Sequence, residues 1–267
     1  MSAHLFNLRT APVPNFPLSY DSRSPPHMET FEAFFEDWLA QQEAFLDQLL
    51  LRASAPQGQS CPSHDHRGDG DSDGDGEADR ALIEQVLGHY QRFYEEKTRV
   101  AREDAFLFFS APWLTSFERT FLWIGDFKPT LLFRFLGSAV DGLTAAQSEE
   151  VERIGAETRW RERELTEAMA RVQESVGAPP LLCLLRASAG QPPRDGELCA
   201  LEVAMAQLKE AMVAVLEDAN ALRAATARRL MEVLSPAQTV KLLAAAAQFQ
   251  VRIRWWGKQR AASAALR

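Results

Sequence analysis

The residues best suited to chemistry lie in one short acidic stretch. Asp71, Asp73, Asp75 and Gly76 occupy positions 1, 3, 5 and 6 of a calcium-binding loop. There, alternate carboxylates converge on a hard cation and glycine permits the sharp turn. Such a loop needs a bidentate glutamate at position 12, where Leu82 stands; starting from Asp69 instead puts Arg80 there. The run therefore reads as a solvated acidic linker. Cys61, His64 and His66 carry soft metal ligands, yet no fourth ligand follows at zinc-finger spacing. His4, His27 and His89 are scattered, and nothing is spaced as a nucleophile elbow, a phosphate-binding loop or a Rossmann turn. Pairs such as Glu149-Glu150 fall in the charge pattern of a wet helix face. The expectation is a protein with no catalytic residue, no metal and no cofactor, and so not an enzyme.

Those residues sit in a chain able to fold. It has 267 residues, 46% of them hydrophobic, enough to bury a core. The net charge of −8 is uneven: seven acids lie between Asp65 and Asp79 against one base, Arg67. The folded remainder is near neutral. Three cysteines, Cys61, Cys183 and Cys199, make no disulfide framework and suit a reducing, intracellular setting. The N-terminus lacks a long apolar segment, and no stretch is apolar enough to span a membrane.

The elements are helical throughout. Residues 1–27, with five prolines, read as a disordered arm. From Met28 the residues Phe31, Phe34, Phe35, Trp38, Phe45, Leu46 and Leu49 recur at spacings of three and four, the stripe of an amphipathic helix. Residues 54–79 form an acidic low-complexity loop expected to be disordered. A second helix follows, carrying Leu82, Val86, Tyr90, Phe93 and Val100. Thr115 with Glu118 fits a capping box opening a helix from Ser116 to Ile124. Pro129 suits the first turn of the next helix. Thr144 with Gln147 forms another box, and Ser235-Pro236 starts the last helix. The reading is an all-α protein, an elongated helical bundle over 28–262 with a tail at 263–267 and a hinge near 187–196.

One block carries a resemblance. Leu122-Trp123-Ile124-Gly125, followed by Phe127-Lys128-Pro129-Thr130, resembles the signature of the plant Delay of Germination domain, which also forms the C-terminal part of TGA-type bZIP transcription factors. The opening helix, with Phe34, Trp38 and Gln42, and the closing stretch, with Ser235, Gln238 and Trp256-Gly257-Lys258, look like the family's first and last blocks. Pro112-Trp113-Leu114, Phe117-Glu118-Arg119 and the stretch from Gln173 to Pro180 look like the Inaperturate Pollen branch. That resemblance implies a protein-interaction factor at the cytoplasmic face of the plasma membrane and in the cytoplasm. It would mark domains where pollen wall is not deposited and apertures form, with a kinase and a second aperture factor as partners. The alternative is a nuclear regulator of seed dormancy or transcription acting with bZIP factors or phosphatases.

Departures from the family matter. No basic region or zipper is seen ahead of the domain, and residues 1–27 hold only Arg9 and Arg23, so direct reading of nucleic acid is not expected. Some relatives are linked to haem through histidines of the last helix; the matching stretch here, Gln250 to Arg254, has none.

The signature residues Trp38, Trp113, Leu122, Trp123, Ile124, Gly125, Lys128, Pro129, Trp256 and Gly257 are expected to be structural. Beside them, Arg252, Arg254, Trp255, Lys258 and Arg260 concentrate positive charge and indoles on the last helix, with no acid after Glu232. Such a set suits an anionic membrane or an acidic partner. It equally suits the end of any helix, where cations complement the dipole.

Overall fold

Helix-forming periodicity dominates the architecture. The computed structural model describes residues 26–54, 71–177, 181 and 197–265. Among these it has no strand and eight α-helices: α1 (Pro26–Ser54), α2 (Asp71–Glu103), α3 (Ala105–Ser110), α4 (Ser116–Arg119), α5 (Leu131–Ala139), α6 (Ala145–Glu174), α7 (Glu197–Val233) and α8 (Pro236–Ala265). A 3₁₀ turn, Ser175–Gly177, extends α6.

The long helices pack antiparallel in pairs, α1 with α2, α1 with α8, and α6 with α7. Three apolar clusters fill the seams. The first joins Phe31, Phe35 and Trp38 of α1 to Phe93 and Val100 of α2, Phe108 of α3 and Leu216 of α7. The second joins the far halves of α1 and α2, through Leu49 and Val86, to Val240 and Leu243 of α8. The third joins Leu136 of α5 and Ile154 of α6 to Leu230 of α7 and Leu242 of α8. Burying each such side chain contributes about 1.5–3 kcal/mol. Where α1, α2 and α8 meet, Gln42 is fully buried and donates to Tyr90 Oη (2.5 Å) and Gln250 Oε1 (3.2 Å).

Local signals set the helix starts. Thr115 Oγ1 accepts from the Glu118 amide and Glu118 Oε2 accepts from the Thr115 amide, closing one capping box. Thr144 and Gln147 close a second in the same way, and Ser235 and Gln238 a third. The amide of Gln147 has donors to spare: Nε2 reaches both the Val233 carbonyl and Gln238 Oε1, each at 2.9 Å. The start of α6, the end of α7 and the start of α8 are thus joined.

Several boundaries differ from the sequence reading. Pro26 and His27 belong to α1, whose start has the first-turn proline that helices tolerate. Residues 71–79 belong to α2 and not to a loop. Arg52, at the end of α1, donates to Asp79 Oδ1 at 2.7 Å and to the Asp75 carbonyl at 2.8 Å, tying those acids to the neighbouring helix. Gly76 is therefore inside a helix and not at a sharp turn. The helix opened by Thr115 ends at Arg119, short of Ile124. Residues 263–265 continue α8. The arm up to residue 25, the loop over 55–70 with Cys61, His64 and His66, Cys183, the hinge near 187–196 and the last two residues lie outside the described residues.

Candidate functional site

The family-like block is a tight turn held over α7. Trp123 N donates to Asp126 O at 2.6 Å and Asp126 N to Trp123 O at 3.3 Å. Between them Ile124 and Gly125 both have positive φ, 47° and 73°. Two successive residues of that kind form a type I′ turn, which glycine adopts freely and a β-branched residue adopts only under strain. Gly125 is required twice over, because a Cβ would come within 2.9 Å of both Leu216 and Phe108.

Arg223 of α7 holds this strained backbone in place. Its Nη2 donates to the carbonyls of Trp123 (2.5 Å) and Ile124 (3.0 Å), and its Nε to the Phe127 carbonyl (2.8 Å). Asn220 Oδ1 accepts from Nη1 at 2.8 Å and orients the guanidinium. Arg223 escaped the sequence reading. The available signal was register: it falls on the buried stripe of Leu216, Ala219 and Leu230, where an arginine requires partners.

Below the turn, Lys97 of α2 donates to Asp126 Oδ2 at 2.7 Å, and the other carboxylate oxygen accepts from the Phe127 amide at 2.7 Å. Burial draws the Lys97 amine down to about 8 against the pull of Asp126, and the nearby Arg223 charge adds to the effect. Burial would raise the Asp126 carboxyl, but Lys97 and Arg223 overcome it and hold the group below its ordinary value. Glu162, buried on α6, accepts from the Thr130 amide at 2.9 Å and its hydroxyl at 3.1 Å, placing a carboxylate at the N-terminus of α5.

Beside this network a cavity of about 1050 Å³ opens between α2, α5, α7 and α8. Its walls are mostly apolar: Tyr90 and Tyr94 from α2, Phe127 and Pro129 after the turn, Leu132 and Phe135 from α5, Ala227 and Met231 from α7, and Phe249 from α8. Burial pushes both tyrosine hydroxyls above their ordinary value, so both stay neutral. The exposed Glu95, Arg99, Lys128 and Arg228 also line it, giving charged edges. This arrangement can hold an apolar guest and orient a charged end. No cluster of three or more metal-ligating side chains occurs among the described residues.

The other expected residues fall into two groups. Trp38 is buried, donates from Nε1 to the His89 carbonyl at 3.1 Å and stacks on the His89 ring at 4.6 Å. Trp113 is buried edge-on to Phe31, with Leu122 and Ile124 packed against the same cluster. Trp123 is only partly buried. Its Nε1 donates to Thr166 Oγ1 at 2.9 Å, and its ring lies near the cations of Arg223 (5.3 Å) and Lys128 (5.9 Å). Gly257 is buried because α8 runs against the first capping box; a Cβ there would collide with Thr115 Oγ1.

Trp256 departs from the structural role expected of it. It is 55% exposed, beside Trp255 at 54%. Arg254, expected at a surface contact, points inward instead. Its Nη1 bonds the Trp113 carbonyl (3.1 Å) and Glu118 Oε2 (3.0 Å), and Nη2 pairs with Glu36. Lys258 also reaches Glu36, at 3.3 Å. Burial would raise the Glu36 carboxyl, and the Arg254 and Lys258 cations bring it below its ordinary value. Arg252 is exposed with no ion pair among the described residues, and Arg260 lies 5.6 Å over the Phe117 ring. No described helix is long and apolar enough to cross a membrane.

Comparison with known proteins places this architecture. Residues 63–138, which include the turn, match the family model described as seed dormancy control. Protein ZW2 of Arabidopsis thaliana is 37% identical over 229 residues, covering 85% of this chain and 95% of that protein. Protein RESPONSE TO ABA AND SALT 1 of Arabidopsis thaliana is 33% identical over 236 residues, covering 87% of this chain and 97% of its own length. Transcription factor TGA1 of Arabidopsis thaliana is 27% identical over 237 residues, which are 89% of this chain but 58% of the longer factor. With the turn, the helices before and after it and near full-length relatives in agreement, the chain belongs to the Delay of Germination family.

Proposed function

We propose that the chain is a non-enzymatic interaction factor in plant development, working in the nucleus with transcription factors of the bZIP type. The observation that carries this reading is the cavity of about 1050 Å³ beside the family turn, walled by apolar side chains from four helices. A space of that size and lining receives apolar side chains or an apolar small molecule. The kind of partner is suggested by relatives such as TGA1, in which the matching region lies within a longer transcription factor. Phosphatases are a further class of partner for such a regulator.

A second reading is favoured by one feature, the exposed Trp255 and Trp256 on α8 beside Arg252, which forms no ion pair among the described residues. In that reading, which the resemblance to the Inaperturate Pollen branch implies, the protein works at the cytoplasmic face of the plasma membrane and marks pollen aperture sites with a kinase and a second aperture factor.

A fluorescent fusion followed in developing seed and pollen, with co-purification from each tissue, separates the two. Nuclear signal with recovered bZIP factors supports the first. Signal at discrete plasma-membrane domains of pollen, without bZIP factors, overturns it in favour of the second.

A further inference from the structure

We infer that the outward face of α8 is a docking surface for an anionic lipid bilayer. This deepens the membrane-facing reading above and does not depend on the nuclear one.

The face is a stripe: Arg252, Trp255, Trp256, Gln259 and Arg260 follow one another at helical spacing, and all are exposed. The two indoles stand edge to face at 5.0 Å, so the apolar surface is continuous. Seven residues before Trp256, and so nearly two turns earlier on the same side, Phe249 is covered by Phe127 (5.4 Å) and Phe135 (5.0 Å). Trp256 continues that side past the point where the bundle covers it.

The charges on α8 divide by role. Arg254 and Lys258 are occupied by Glu36, and Arg254 also by Glu118. Arg252 forms no ion pair among the described residues, and Arg260 touches an aromatic ring instead of an acid. Neither lies in the last turn of a helix that ends at Ala265, so the helix dipole does not account for them. No acid follows Glu232, although the chain as a whole carries −8. On this face of α8, Arg252 and Arg260 are thus the cations left without an acid partner among the described residues, and they would set which side of the protein meets an anionic surface.

Shape selects the bilayer. Every residue from Lys258 to Ala264 is exposed, so the end of α8 projects beyond the bundle as a convex tip. The two indoles stand on the open side of α8 just before that tip, and so need no pocket in a partner. Indoles settle at headgroup depth, while arginines one turn before and one turn after them meet lipid phosphates. Two signals of this kind together support reversible attachment without any spanning helix.

The test uses the full chain with phosphatidylcholine vesicles, with and without phosphatidylserine. Wild type is expected to co-sediment with the anionic vesicles only, and less so at high salt. R252E/R260E and W255A/W256A should each lose at least about tenfold in affinity, with thermal midpoints lowered by no more than a few degrees because all four residues are exposed. Brominated lipid should quench wild-type tryptophan fluorescence, and W255F/W256F should lose that quenching. Wild type that ignores anionic vesicles, or binding that survives both double substitutions, overturns the proposal. Loss of a protein partner in the α8 variants without any vesicle binding also overturns it, and assigns the face to that partner. The location of the fusion and its co-purified proteins are read separately, so failure here leaves the nuclear reading untouched.

Discussion

The amine of Lys97 sits 2.7 Å from the Asp126 carboxylate inside the protein, with only 2% of the lysine side chain exposed. Around this pair the loss of either member is unequal. Asp126→Ala leaves Lys97 and Arg223 as two buried cations with no carboxylate between them, and should cost about 3–5 kcal/mol. Lys97→Met leaves Asp126 still facing Arg223 and should cost less. The double variant should be less destabilised than the sum of the singles by more than about 1 kcal/mol. Urea unfolding of all three measures this; strict additivity would show that the pair is not coupled.

Two glycines in helices make opposite predictions. Gly257→Ala drives a methyl into Thr115 Oγ1, which is already accepting from the Glu118 amide, so the capping box must open. A loss of about 1–3 kcal/mol is expected. Gly137, inside α5, has nothing within 4 Å of the place a methyl would take, and Gly137→Ala should stabilise by up to about 1 kcal/mol. Calorimetric midpoints moving in the same direction would contradict the close approach of α8 to α4.

Acid should weaken the α1–α2 seam through His89. Its ring is buried against Trp38, and burial, helped by the nearby Arg92 charge, draws its pKa down from 6.5 to about 4. The folded state thus prefers the neutral ring. The stability it protects is fully present above about pH 6.5 and is lost as pH falls toward 4, by up to about 3 kcal/mol. His89→Phe keeps an aromatic ring and cannot titrate, so it should lose less stability than wild type over that window. Parallel stability–pH curves for the two proteins would rule out His89 as the titrating group.

Filling the cavity should separate binding from folding. Ala227 lies on its α7 wall with room in front of it. Ala227→Trp is expected to leave the thermal midpoint within a few degrees, and to reduce capture of bZIP partners by more than about tenfold. Undiminished capture would place the partner elsewhere on the surface.

The helices and their caps were legible because their signals are local. Thr115 with Glu118, Thr144 with Gln147, and Ser235 before Pro236 each act within a few residues, and all three start helices in the structure. What was hidden depends on partners far along the chain. Arg223 grips the carbonyl of Trp123 a hundred residues away, and Lys97 meets Asp126 across 29. Neither spacing leaves a periodic trace. The helical state of Asp75 and Asp79 escaped because composition argues for a solvated loop, while the deciding contact is Arg52 on another helix. Trp256 misled in the opposite direction: its place in the family signature suggests a structural role, while its ring stands on the side of α8 that no other helix covers.

The head-to-head meeting of Gln147 and Gln238 gives the bundle a common joint. In an isolated capping box glutamate and glutamine are interchangeable, since only an acceptor is needed. Here Gln147 must also donate, to a carbonyl at the end of α7 and to the glutamine that caps α8. Fraying at any one of the three helix ends therefore withdraws a bond from the others. Amide protons near Gln147 and Gln238 should exchange with solvent as one cooperative unit, so that this corner opens as a whole and seldom piecemeal.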